Sequence, residues 1–167
     1  GVHGVVSSAN SLVGSAANDQ VSRVVGLRGG VTALTNGNYV VASPSWNGSA
    51  AKIGAVTWSS GTAGINGAVS SMNSLIGSIK NDQVGFPGVT ALANGNYVVA
   101  SSLWSNSAQK VGAVTWGNGT IGITGAVTGD NSLVGSTAND QLASKENAFY
   151  GSNSCVTALT NGNYVIA

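Results

Sequence analysis

Three aspartates recur beside the same neighbours, in Asn18-Asp19-Gln20, Asn81-Asp82-Gln83 and Asn139-Asp140-Gln141, and they supply three of the five acidic residues of the chain. An acid placed once per unit could bind a cation or a sugar hydroxyl. It could equally accept backbone N–H bonds at a turn, the ordinary habit of Asx side chains. Its return beside the same Gln favours the turn, because a specific ligand site more often belongs to one unit only. Four tryptophans recur in the same way. Trp58 and Trp116 close the run Gly-Ala-Val-Thr-Trp, while Trp46 and Trp104 stand in the polar contexts Ser45-Trp46-Asn47-Gly48 and Leu103-Trp104-Ser105-Asn106. An indole near a loop can stack on a sugar ring and still offer its N–H. Repetition favours packing between units, and of the two pairs Trp46 and Trp104 are the better ligand candidates. The candidate ligand-binding residues are therefore Trp46, Trp104, Asp19, Asp82 and Asp140.

Other chemistries lack their parts. His3 is the only histidine and has no acidic or Cys cluster around it, so a Ser-His-Asp set has nothing to be built on. Cys155 is the only cysteine, which allows no intrachain disulfide and reads as a small buried thiol. The glycines stand at turns between strands rather than in a phosphate-binding loop ahead of a helix. The expectation is no enzyme, no catalytic residue, no cofactor and no metal.

The elements that position these residues are repeats. Val31-Thr-Ala-Leu-Thr-Asn-Gly-Asn-Tyr-Val-Val-Ala-Ser43 returns at 89–101, with Ala for Thr at 93, and at 156–167, with Ile for Val at 166. Each copy reads as two β-branched runs joined by Asn-Gly, the signal of a two-residue type I′ hairpin. Asn10-Ser-Leu-Val-Gly-Ser15 returns at 73–78 and 131–136, and Ile53-Gly-Ala-Val-Thr-Trp58 at 111–116. Naming the runs A (VTAL), B (NYVVAS), C (GAVTW) and D (NSLVGS), the order is D, A-B-C-D, A-B-C-D, A-B. That predicts eleven strands with the last C absent. Four short strands per unit, spaced by turn signals and without a helical period, is the arithmetic of a β-propeller blade. The expected fold is an all-β propeller of four-stranded antiparallel blades, about 2.5–3 of them in this chain. One repeat array spans 1–167, with repeat 1 at about 1–65, repeat 2 at about 66–123 and an incomplete repeat 3 at about 124–167. So short an arc would expose strand edges, so the ring is expected to be completed by other copies or by missing sequence.

Composition agrees. Charged residues are 7% of the chain, against about 25% in ordinary soluble proteins, while the hydrophobic share is a normal 43%. A formal net charge of +1 gives no argument for nucleic acid or an anionic membrane surface. No apolar run approaches the ~18 residues of a membrane helix, and no signal peptide opens the sequence. The most variable part lies between D and A: Gln20 to Val31 spans 11 positions, Gln83 to Val89 6, and Gln141 to Val156 15. These loops carry Arg23, Arg28, Lys145 and Glu146. Recognition loops and tolerated insertions both fit that pattern.

The stretch Asn81-Asp-Gln-Val-Gly-Phe-Pro-Gly-Val-Thr-Ala-Leu-Ala-Asn-Gly-Asn-Tyr-Val-Val-Ala-Ser101 resembles the FG-GAP repeat of integrin α-type propellers, with Val41-Ala-Ser-Pro44 where such repeats have Val-Gly-Ala-Pro. The whole tandem is more similar still to the repeat modules of large bacterial surface proteins related to filamentous-haemagglutinin-type adhesins. The wider family's calcium loops carry several carboxylates, but Thr35-Asn-Gly-Asn38, Ala93-Asn-Gly-Asn96 and Thr160-Asn-Gly-Asn163 keep none, so no calcium site is expected. The resemblance implies a secreted, cell-surface, non-enzymatic structural or adhesive segment acting through self-association or surface contact. The alternative is a lectin-like propeller with one glycan site per blade. Expected partners are further copies of the chain (a homo-oligomer) or the remainder of a longer repeat chain, with a glycan for the lectin reading, and no nucleic acid or membrane insertion.

Overall fold

The computed structural model describes residues 3–24, 30–107, 109–144 and 155–166. Among the described residues there is no helix, and the strands form several mainly antiparallel sheets. The first sheet joins β2 (Val31–Ala33), β3 (Tyr39–Ser43), β4 (Ala55–Ser59) and β6 (Ser74–Ile76) in a meander. The second repeats it with β7 (Pro87–Ala91), β8 (Tyr97–Ser101), β9 (Ala113–Gly117) and β11 (Ser132–Val134). A third begins with the hairpin of β12 (Val156–Ala158) and β13 (Tyr164–Ile166), and β1 (Leu12–Val13) is a D strand without the A, B and C that would precede it. The A-B-C-D reading is therefore the observed order of strands. Each sheet straddles the repeat limits drawn at 65 and 123, because its D strand lies beyond them.

Register explains the burial. Val40, Val41, Ala42, Val56 and Thr57 on the first sheet, and Val98, Val99, Ala100 and Val114 on the second, are all buried, so the middle strands B and C are covered on both faces. Their short β-branched side chains suit such a two-sided position. Leu34, Val40, Ala42, Val56 and Leu75 of the first sheet share one core with Tyr97, Val99, Trp104, Val111 and Ala113 of the second. The opposite face of the second sheet, with Leu92, Val98, Ala100 and Val114, packs on Cys155 and Val156 of the third. The A strands β2, β7 and β12 lie side by side along one edge of this stack.

Two features differ from expectation. The A-B hairpins are not type I′. Gly37 N donates to Leu34 O and Leu34 N to Asn38 O, and Gly37 alone takes a left-handed φ of 87° while Asn36 does not. The connection is a type I turn followed by a glycine bulge, which needs one positive φ rather than two. Asn36 instead folds its side chain back, Oδ1 accepting from Asn38 N at 3.1 Å. The second difference is an extra two-residue strand between C and D: β5 (Gly67–Ala68) and β10 (Gly125–Ala126). Each pairs in parallel with the D strand of the preceding sheet, β5 with β1 and β10 with β6.

Candidate functional site

Two of the recurring aspartates, Asp19 and Asp82, sit where two sheets meet. In each Asn-Asp-Gln triplet the Asn and Gln take left-handed backbone conformations, with φ of 66° and 48° at Asn18 and Gln20 and of 69° and 47° at Asn81 and Gln83. This tight turn aims the intervening carboxylate at backbone amides. Asp19 Oδ2 accepts from Ser15 N and Ala16 N at 2.6 and 2.8 Å, and Asp82 Oδ2 from Ser78 N and Ile79 N at 2.9 and 2.8 Å. The second oxygen crosses to the B–C loop of the next sheet. Asp19 Oδ1 accepts from Asn47 N at 3.0 Å and from Asn47 Nδ2 at 2.8 Å. Asp82 Oδ1 accepts from Ser105 N at 3.1 Å. Asp140 repeats the local half of the pattern with Ser136 N and Thr137 N and stays exposed.

Depth of burial and one side-chain donor separate the two aspartates, Asp82 being the more deeply buried. Burial pushes both carboxyls up. At Asp19 the bonds from Ala16, from the side chain and backbone of Asn47 and from Ser15 outweigh it, and the pKa falls below the ordinary value. At Asp82 three backbone bonds do not outweigh it, and the pKa stands above. The position of Asn47 is taken by Ser105 in the second sheet, which supplies no side-chain bond to the carboxylate.

Trp46 and Trp104 occupy those same B–C loops, but their rings are buried, not presented to solvent. Trp46 packs with Ile53, Ala55 and Val69, its six-membered ring lying so close over Gly48 that a Cβ there would overlap it. Neither indole N–H of this pair has a protein partner. The polar residues around Trp46 and Trp104 suggested rings open to a sugar; in the structure no ring face is free for stacking. The exposed indole is Trp116.

A second tie between the sheets went unseen in the sequence. The carbonyl oxygen of Gly119, in the turn after β9, accepts from Asn36 Nδ2 at 2.8 Å, Asn38 Nδ2 at 2.8 Å and Trp58 Nε1 at 3.0 Å, all from the first sheet. Gly119 N is held by Asn96 Oδ1 at 3.0 Å. The signal was present in the recurrence of Asn-Gly-Asn with Trp, but the acceptor is a backbone atom and leaves no mark of its own. Beside this tie Tyr97 is fully buried, and burial pushes its phenol up to about 12 against a weaker opposing hydrogen bond with the Ile123 backbone. The equivalent Tyr39 is only half-buried and borders an open groove with Asn10 and Gly64.

Among the described residues, no three His, Cys, Asp or Glu side chains come together as a metal would require. Of the D-to-A loop charges, Arg23 is exposed, while Arg28, Lys145 and Glu146 lie outside the described residues. What the recurring polar groups do is bind one sheet to the next.

A family model described as a repeat of unknown function (DUF5650) matches residues 1–23, 33–86 and 91–144. The chain belongs to this family. The two full DUF5650 matches begin inside the A strands, at Ala33 and Ala91, and each ends after an Asn-Asp-Gln turn, so a unit carries the Asn-Gly hairpin, strands B, C and D and the aspartate. The first match begins at the chain's start and covers only the D strand and its aspartate turn. No curated protein and no solved structure matches the chain, and no match is to FG-GAP or haemagglutinin-type repeats.

Proposed function

We propose that this chain is a non-enzymatic structural segment of a repeat array, consecutive propeller-like blades of a secreted surface protein acting through self-association or surface contact. The observation that carries this reading is the use made of the recurring groups. Asp19, Asp82, Trp58, Asn36 and Asn38 all make bonds that join one sheet to the next. Groups so committed build a scaffold and leave little to recognise a small ligand. The blade reading draws support from the inner-to-outer order A-B-C-D and from the adjacency of the inner strands β2, β7 and β12. The low charge and the resemblance to FG-GAP and haemagglutinin-type modules support the surface location.

Light scattering coupled to size exclusion tests the reading, alongside calorimetric titration with a panel of mono- and disaccharides. A discrete assembly that takes up no sugar is the expected result. Stoichiometric sugar binding at one site per repeat would overturn it in favour of a lectin.

A further inference from the structure

Where the second unit departs from the first, the departures fall together in space. Strands B and C and the loop between them keep their lengths, so residues 45–52 correspond to 103–110, and 16–18 to 79–81. A cleft of about 270 Å³ lies between the turn that carries Asp82 and the B–C loop of the second sheet. Most residues that line it differ from their counterparts one unit earlier. Ile79 and Lys80 replace Ala16 and Ala17, Leu103 replaces Ser45, Ser105 replaces Asn47 and Gln109 replaces Ala51. Lys80 has no copy, since Ala stands at both 17 and 138.

The change at 105 makes the room. In the first joint Asn47 Nδ2 donates to Asp19 Oδ1 at 2.8 Å and reaches Ala17 O at 3.5 Å, so its amide spans turn and loop. Ser105 keeps the backbone bonds, its N donating to Asp82 Oδ1 at 3.1 Å and its Oγ accepting from Lys110 N at 3.0 Å. Its shorter side chain does not span the gap. Lys80 and Lys110, both exposed, border the space that results, and Ile79, 44% exposed, gives it an apolar wall. Asp82 is fully buried with both oxygens turned to amides, so two positive charges face one sequestered negative charge. Basic residues are confined to this end of the sheets. All six lie between D and A or between B and C, connections that leave the antiparallel strands on the same side.

We propose that this cleft binds a tetrahedral oxyanion, a sulfate or phosphate ester group, between Lys80 and Lys110, with Ile79 against the carbon skeleton that carries it. Lysine acts as a point charge and suits a group whose charge is spread over several oxygens. The volume falls just below the roughly 300–1,000 Å³ of small-molecule sites, which fits one such group. The site goes beyond the scaffold reading and belongs to one joint. Repetition builds the frame, and the place where repetition lapses does the recognising.

Amide-resolved NMR titration at constant ionic strength tests it, with inorganic sulfate, inorganic phosphate, glucose 6-sulfate, glucose 6-phosphate and glucose as probes. Saturable shifts at Ile79, Lys80, Ser105 and Lys110 are expected from the anions and none from uncharged glucose. Tighter binding of the phosphate ester would assign a phosphorylated carrier, and tighter binding of the sulfate ester a sulfated one. Lys80→Ala restores the residue found at 17 and 138, and should weaken binding by about tenfold or more. Ser105→Asn rebuilds the bridge that Asn47 makes and should weaken it as much by filling the cleft. Both variants carry residues with which the first unit already folds. Arg23→Ala, at the other joint, should change affinity by less than about twofold. Shifts that rise without saturating, or equal losses in Lys80→Ala and Arg23→Ala, would overturn the site and leave the scaffold reading standing.

Discussion

The indole nitrogen of Trp58 donates to the carbonyl oxygen of Gly119 across 3.0 Å of space and 61 positions of sequence. The residue in the same place one repeat on, Trp116, is 43% exposed. One sequence position thus holds an interface anchor in the first sheet and a surface residue in the second, the difference being whether a following C–D turn is there to receive it. Trp58→Phe keeps the ring and removes the donor, and should cost about 0.5–1.5 kcal/mol. Trp116→Phe should fall within about 0.5 kcal/mol of the parent, as surface changes do. Urea unfolding of both variants reads the contrast; equal losses would refute it.

The same logic orders the aspartates. Asp82→Ala removes a fully buried carboxylate and leaves the part-buried amides of Ser78, Ile79 and Ser105 without their acceptor, and should cost about 1–3 kcal/mol. Asp140→Ala, at an exposed carboxylate, should cost less than half as much, because water takes over the amides of Ser136 and Thr137. Chemical denaturation of the two variants measures the gap.

The two buried carboxylates respond oppositely to acid. The pKa of Asp19 is lowered by folding, so its contribution is present above the ordinary value near 3.8 and is lost as pH falls through its lower folded value. That of Asp82 is raised, so its contribution is present below 3.8 and is lost as pH rises through the higher folded value. Ser105→Asn should give Asp82 the side-chain donor that Asn47 gives Asp19 and bring its pKa down. Carboxyl-carbon NMR titration follows both residues, and an unmoved Asp82 would count against the role given to Asn47.

Glycines in the hairpins divide by cause. Gly37 has φ 87° and open space where a Cβ would be, so Gly37→Ala should cost only backbone strain, about 1 kcal/mol. A Cβ on Gly61 would drive into the carbonyl oxygen of Gly37, so Gly61→Ala forces two turns apart and should cost about 2–3 kcal/mol. Thermal melts of the pair separate strain from collision.

Much of the fold was legible because repetition supplies its own control: strands A to D return with the same side chains, and the Asn-Asp-Gln turn declared its carboxylate. What escaped depends on neighbours. β10 is two residues long and exists only because β6 lies beside it, and nothing within Gly125 and Ala126 says so. The Asn-Gly dipeptide serves both a type I′ turn and a type I turn with a bulge, and the choice fell to Asn36, whose side chain bonds Asn38 N. Polar neighbours suggested an open ring at Trp46, whereas the absence of a side chain at Gly48 is what lets that ring tuck inward.

The short parallel strands also determine how the molecule must come apart. Among the described residues, β1 and β6 each receive their outer partner, β5 and β10, from the following unit, so these sheets are completed by their neighbours. Stability then accrues through nearest-neighbour coupling, as in a one-dimensional lattice. Unfolding starts at the termini and moves inward, a unit cut free loses more than its share, and each repeat added to the row raises the melting temperature of those already in it.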